Sequence, residues 1–363
     1  MGKKLVICCD GTWNRPDQET DEGLLCPTNV TKLAYRVAKT DGDRLQILFY
    51  DAGVGTGNVV DRYVGGALGE GLVENIFEAY RFLVANYQQG DEIYLFGFSR
   101  GAFTARSIAG MVRKCGVVKR EHIERYRDAI LNYQNAEIDP NSPETVAFRK
   151  NFAIAEETPI QCVGVFDTVG ALGVPIGGRN REKNAFHDTQ LSKSVRYAFH
   201  ALAIDERRGP FEPTLWSYAP KPAQVVRQVW FAGVHSDIGG GYAEHELSDI
   251  ALQWMIEQAK EAGLKFDDAT MTRHPIAAAK ADGTLHDSMS LKYRVLPKLD
   301  RPIGLAKHRD QDQAKDVGVT STDDATQSIH PSVIARWDKV PKYRPPELRK
   351  YFVRVKDPRG TAP

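Results

Sequence analysis

Glu92-Ile93-Tyr94-Leu95-Phe96-Gly97-Phe98-Ser99-Arg100-Gly101-Ala102-Phe103 joins a strand to a helix through a turn flanked by glycines. Glu92 to Phe98 is an apolar run of strand length, and Arg100 to Lys114 places Phe103, Ile108 and Met111 at helical spacings. Between them, Gly97-Phe98-Ser99-Arg100-Gly101 matches G-x-S-x-G, the elbow on which a nucleophilic serine is held. The glycines suit a turn so tight that neighbouring strands leave no room for a Cβ. Ser99 could also be a plain N-cap. The strand before it and the helix after it favour the nucleophile.

Outward from this turn, further apolar runs read as strands: Leu5 to Cys9, Leu45 to Tyr50, Ile160 to Phe166 and Val225 to Phe231. They are almost continuously apolar, as in a parallel sheet covered on both faces. Helical periodicity falls between them over 67 to 88, ended by Gly90, over 191 to 204 (Leu191, Val195, Ala198, Leu202) and over 249 to 262 (Ile250, Trp254, Met255). Strand and helix alternate as in a doubly wound, mostly parallel α/β fold of α/β-hydrolase type with helical and loop insertions. One domain over 1–363 accommodates the pattern. Residues 171–224, with Leu172, Val174, Ile176, Phe186, Phe211, Leu215 and Trp216, read either as a cap insertion bordering the site or as a segment whose helix packs against the sheet. Residues 264–329 read as a polar excursion whose one strand-like run is Leu291 to Leu296. Residues 339–363 read as a solvated basic tail. Lys339 to Arg359 holds eight Lys/Arg and two Asp/Glu, so it carries +6 in a chain of net +1, leaving −5 elsewhere.

Balanced charge, 48 Lys/Arg against 47 Asp/Glu, argues against a general nucleic-acid binder. No apolar run approaches the ~20 residues of a membrane-spanning helix, and the N-terminus has no signal-peptide pattern. A cytoplasmic protein is expected, with export by a signal-less secretion route left open and no oligomeric state set. The basic tail offers peripheral contact with anionic lipid headgroups. Cys8, Cys9, Cys26, Cys115 and Cys162 form no Cys-x-x-Cys pair, so they read as core residues rather than a disulfide or zinc framework.

A serine nucleophile needs a base, itself oriented by an acid. His235 lies in Val234-His235-Ser236-Asp237-Ile238-Gly239-Gly240-Gly241-Tyr242, just after the Val225 to Phe231 strand. A structural turn histidine is the alternative reading, and His330 is the rival base. For the acid, Asp167 follows the Ile160 to Phe166 strand, which gives the chain order Ser, Asp, His of α/β-hydrolases. Asp237 is too close to His235 to be the default orienter. The oxyanion donors expected are the amide of Arg100 and that of Gly11 or Thr12, at the end of the first strand. Asp10 beside them would be an unwelcome charge unless it bonds NH groups or a cation. Asp51-Ala52-Gly53-Val54-Gly55-Thr56-Gly57 lacks the last glycine of G-x-G-x-x-G and any Walker lysine, so it reads as a rim loop.

Five motifs in order, Lys4 to Asn14, Gly53 to Gly57, Gly97 to Ala102, Asp167 to Gly170 and Gly233 to Tyr242, resemble those of a bacterial and fungal α/β-hydrolase family. That family was long labelled a domain of unknown function and includes type VI secretion phospholipase effectors. The resemblance runs from about residue 3 to 345. It implies a Ser99, Asp167, His235 hydrolase acting on carboxylic esters of lipids, without the effectors' long extra modules.

The leading expectation is therefore a serine esterase or lipase, phospholipase-like, forming an acyl-enzyme at Ser99 with no cofactor and no metal. Two other classes stay open. Asp10, Asp51, Asp167, His235 and Asp237 could hold a divalent metal for phosphoester hydrolysis, or the fold could serve as a non-catalytic binding module.

Overall fold

The computed structural model describes the chain except residues 1, 12, 13, 15, 21, 54–66, 136, 170–190, 217–220, 277–278, 290–297, 310–315 and 362–363. Thr12, positions 54–57 of the rim loop, Leu172, Val174, Ile176 and Phe186 of the cap, and the run Leu291 to Leu296 lie outside the described residues.

The strands are β1 (Lys4–Cys9), β2 (Thr40–Asp41), β3 (Arg44–Asp51), β4 (Glu92–Phe98), β5 (Ile160–Phe166), β6 (Val195–Ala203), β7 (Val225–Phe231), β8 (Leu305–Arg309), β9 (Asp316–Asp323) and β10 (Gln327–Ile329). Eight of them form one sheet in the order β10-β7-β6-β5-β4-β1-β3-β2, while β8 and β9 pair as a separate antiparallel hairpin. Within the large sheet only β2 runs antiparallel to its neighbour. Among the described residues the α-helices are α1 (Asn29–Ala34), α2 (Ala67–Asn86), α3 (Arg100–Cys115), α4 (Tyr126–Gln134), α5 (Pro143–Phe152), α6 (His235–Gly239), α7 (Glu246–Glu261), α8 (Asp268–Arg273), α9 (Pro331–Lys339) and α10 (Pro346–Arg354). This is the doubly wound, mostly parallel α/β architecture of α/β-hydrolase type.

The apolar runs are continuous because both faces of the sheet are covered. In β1, Leu5, Ile7 and Cys9 pack with Ile76, Tyr80 and Leu83 of α2 and Phe103 of α3. Val6 and Cys8 face the other way, onto Val30 and Leu33 of α1 and Leu252 and Met255 of α7. Each large side chain buried in this way contributes about 1.5–3 kcal/mol of hydrophobic stabilisation.

Three expectations change. The helix expected over 191–204 is β6, a central strand between β5 and β7. A fully buried strand shows no alternation, and the 3–4 spacing of Leu191, Val195, Ala198 and Leu202 imitates a helix. The cap read into 171–224 is therefore interrupted by a core strand. The basic tail is not a solvated tail, because Tyr343, Leu348 and Phe352 are buried against Val333, Trp337 and Trp230. Finally, the polar excursion 264–329 supplies β8, β9 and β10, the last of which pairs with β7 at the sheet edge. No helix among the described residues is long and apolar enough to cross a membrane.

The chain winds from β1 to β3 on one side, returns to β4 on the other, and continues outward through β5, β6 and β7. The direction of winding reverses between β1 and β4. In open parallel sheets ligands bind in the crevice outside the carboxyl ends of the strands at such a point. Asp10 follows β1 there and Ser99 follows β4.

Candidate active site

Ser99 occupies the strand-to-helix junction with φ 57° and ψ −120°, a conformation that L residues rarely adopt. A residue held this way stores about 1–3 kcal/mol of strain, which the surroundings must impose. The glycines show how close those surroundings are. A Cβ on Gly97 would lie 2.3 Å from the Gly101 carbonyl oxygen, and one on Gly101 would lie 2.1 Å from that of Cys9. The Ser99 amide donates to the Phe166 carbonyl at 3.1 Å, which ties the serine to the residue before Asp167.

Asp167 is fully buried at the end of β5 with φ 37°. Its Oδ2 lies 2.7 Å from His235 Nδ1. Burial alone would raise the Asp167 carboxyl, but Arg301 and His235 hold it well below the ordinary carboxylate range. An ionised carboxylate only accepts, so Nδ1 of His235 carries the proton and Nε2 is left as an acceptor. Burial pushes the His235 pKa down, against the upward pull of Asp167. The imidazole is therefore neutral at neutral pH. Its ring centroid is 4.6 Å from that of Phe98, the neighbour of Ser99, and 4.9 Å from that of Phe211, which meets it edge-on. The His235 amide donates to Glu206 Oε2 at 3.3 Å, and Arg208 pairs with the same carboxylate while lying over the Phe211 ring at 3.5 Å.

Other sequence candidates fall elsewhere. His330 follows β10, stacks on Phe231 and caps α9, with Nδ1 accepting from the Ser332 amide. Burial pushes its pKa down to about 4. Asp237 does not reach His235: it accepts from the Val234 amide and from His286 Nδ1, at 2.6 Å. Asp10 takes hydrogen bonds from the Gly11 amide and from the Thr28, Thr31 and Tyr50 hydroxyls. The four donors offset only part of the burial, which still raises the Asp10 carboxyl above its ordinary range. They include the Gly11 amide, which donates to Asp10 Oδ1 at 2.7 Å. Gly11 also makes room: a Cβ there would stand 3.5 Å from Ser99 Cβ and 2.5 Å from Asn14 Nδ2. Among the described residues no three His, Cys, Asp or Glu converge as for a metal ion. Trp216, expected at the pocket rim, is a core residue under Arg106 and beside His200.

Arg301 is the residue that sequence reading missed. It is buried, and it grips Asp167 with Nη1 to Oδ1 at 2.7 Å and Nη2 to Oδ2 at 3.1 Å. Asp300-Arg301-Pro302 carries no local signal for this contact, since its partner lies 134 residues earlier.

Residues 3–258 match the family described as "T6SS, Phospholipase effector Tle1-like, catalytic domain". A Saccharomyces cerevisiae protein, "Uncharacterized protein YEL023C", is 33% identical over 244 residues, which is 61% of this chain and 34% of that one. The chain thus spans about a third of the length of that relative. Two solved structures are similar in part. "Crystal structure of an uncharacterized protein from Pseudomonas aeruginosa" has TM-score 0.46 and 19% identity, covering 77% of this chain and 48% of that one. "Structure of the Tle1 effector bound to the VgrG spike from the Type 6 secretion system" has TM-score 0.45 and 17% identity, covering 81% of this chain and 78% of that one.

Proposed function

Because the chain belongs to the family of type VI secretion Tle1-like phospholipase effector catalytic domains, we propose that it is a serine hydrolase cleaving carboxylic esters of lipids through an acyl-enzyme at Ser99. The observation that carries this reading is the buried Asp167–His235 pair, at 2.7 Å, beside a strained serine at the switch point of the sheet. In this mechanism His235 Nε2 takes the Ser99 hydroxyl proton as Oγ attacks the ester carbonyl. Asp167 accepts from Nδ1–H and stabilises the imidazolium that results. The tetrahedral oxyanion is met by the Arg100 amide at the start of α3 and by the side-chain amide of Asn14, which flanks the same point as Ser99. Collapse passes the proton from His235 to the departing alcohol. Water, deprotonated by His235, then attacks the acyl carbon and frees Ser99.

Anionic headgroups fit the outer face of α10, where Arg349, Lys350 and Val353 are exposed while Leu348 and Phe352 face the core. The metal-dependent alternative finds less support, because Asp10 and Asp237 spend their oxygens on other donors.

A fluorophosphonate probe followed by peptide mapping tests the serine route directly. The expected label is on Ser99, with labelling and hydrolysis of a phospholipid both lost in Ser99→Ala and both retained in the presence of a chelator. Hydrolysis that survives Ser99→Ala but disappears with chelation would reverse the assignment.

A further inference from the structure

We propose that Arg301 is a positioning residue for the candidate acid and base, fixing the Asp167 carboxylate and the ring wall against His235 with one guanidinium. The role rests on His235 acting as the base. Residues matching the family end at 258, within α7, so this contact comes from the part of the chain beyond the match.

The guanidinium makes four contacts. Nη1 donates to Asp167 Oδ1 and to the Ala203 carbonyl at the end of β6, while Nη2 donates to Asp167 Oδ2 and to the Phe211 carbonyl. Ala203 returns its own amide to Asp167 Oδ1 at 3.0 Å. Both carboxylate oxygens are thereby fixed in the plane of a bidentate fork, a geometry that arginine offers and lysine does not. The same fork holds the backbone of Phe211, whose ring meets the His235 imidazole edge-on. One side chain therefore sets the bearing of the acid and the position of the surface on which the base rests.

Stability alone does not explain such a group. Desolvating a buried ion pair offsets most of its Coulombic gain, and backbone amides could orient the carboxylate without importing a charge. Arginine adds partial neutralisation of Asp167, so the imidazolium formed on His235 shares its counter-charge with a second cation. The other charged or titratable groups around the pair are Glu206 and Arg208 after β6, His200 within β6, and Arg106 of α3, which acts on His200. With Arg301 in place, His235 should remain unprotonated to lower pH than Asp167 alone would allow.

The test uses the full chain with Arg301→Met and Arg301→Lys, reading kcat and KM on a soluble ester, and the His235 Nδ1 proton by NMR titration. Arg301→Met should lower kcat by about 10–100-fold, the range for groups that act by orienting another. KM should stay within about twofold, and the acid limb of kcat/KM and the NMR midpoint should both rise by about one pH unit. Arg301→Lys keeps the charge without the fork, so it should return the limb towards wild type while kcat stays reduced. In Asp167→Asn, adding Arg301→Met should cost less than it does in the wild type, because only the hold on Phe211 is then left to lose. A folded Arg301→Met with wild-type kcat, limb and midpoint would overturn the role. If that variant does not fold, wild-type kcat and an unshifted Nδ1 resonance in Arg301→Lys would do so. Should the wild type show no Ser99-dependent hydrolysis, the serine reading fails, while the NMR midpoint still decides whether Arg301 acts on the pair.

Discussion

His235 and His330 each follow a strand, and β7 and β10 lie side by side, yet their rings face different partners. His235 has an acid behind Nδ1, whereas His330 Nδ1 accepts from the Ser332 amide and caps α9. His330→Asn should therefore keep hydrolysis within about twofold, because Asn also caps helices well. His235→Asn should lose about 10⁴-fold, as when a triad is miswired. Stability separates them further. The folded pKa of His330 lies at about 4, below its ordinary value near 6.5, so between those values the unfolded chain binds a proton that the native state does not. Its contribution is full above about pH 6.5 and declines as pH falls towards 4. Urea midpoints at about pH 7 and pH 4.5 should thus differ less in His330→Asn than in wild type. An equal drop in both proteins would mean that His330 does not titrate as its burial requires. From the sequence, the two histidines could be ranked by the glycine-rich turn after His235, but Asn14 and Arg301 could not be ranked at all. Their relation to Ser99 and Asp167 exists only once the strands are side by side.

At the scale of the element, the β4–α3 junction was legible because its causes are local: an apolar run, a glycine-flanked serine and a helical repeat in immediate succession. β6 was not, because its burial on both faces comes from β5, β7 and the helices above and below them, and no alternation in its own residues records this. The elbow also makes a prediction about its glycines. The Gly101 Cβ position is blocked by the Cys9 and Asp10 carbonyls of the neighbouring strand end, which are backbone and cannot swing aside. Gly101→Ala should therefore destabilise by about 3 kcal/mol or more, at the upper end of overpacking costs, and reduce Ser99 labelling with it. Gly110, in the same helix, meets nothing closer than the Tyr133 ring at 3.7 Å. Gly110→Ala should stabilise by about 0.5–1 kcal/mol through helix propensity. Equal effects of the two substitutions on the urea midpoint would contradict the close approach of α3 to β1.

Across the whole molecule, charge is unevenly distributed, with +6 between Lys339 and Arg359 in a chain of net +1. Composition made this stretch look like a solvated tail, since three buried side chains among so many charges leave little pattern to read. Packing gives it two sides. Tyr343, Leu348 and Phe352 complete a core with Trp230 and Ile303, and Ile303 is two residues from Arg301, so the segment is anchored next to the residue that grips Asp167. Arg354 of α10 also donates to the Ile303 carbonyl. The outward side of α10 bears Arg349, Lys350 and Val353, and Lys356 follows one turn later. Each basic residue close to an anionic bilayer contributes about 1 kcal/mol to binding, so reversing three of them should remove more than the roughly 100-fold that losing three would. The measurement is sedimentation with vesicles of phosphatidylglycerol and phosphatidylcholine, using Arg349→Glu, Lys350→Glu and Lys356→Glu combined. Binding should fall by at least that factor and fall likewise in wild type at high salt, because the attraction is screened. Hydrolysis of a soluble ester should not change, since none of the three side chains touches Ser99, His235, Asp167 or Arg301. Undiminished vesicle binding in the triple variant would move the lipid contact to another face of the molecule.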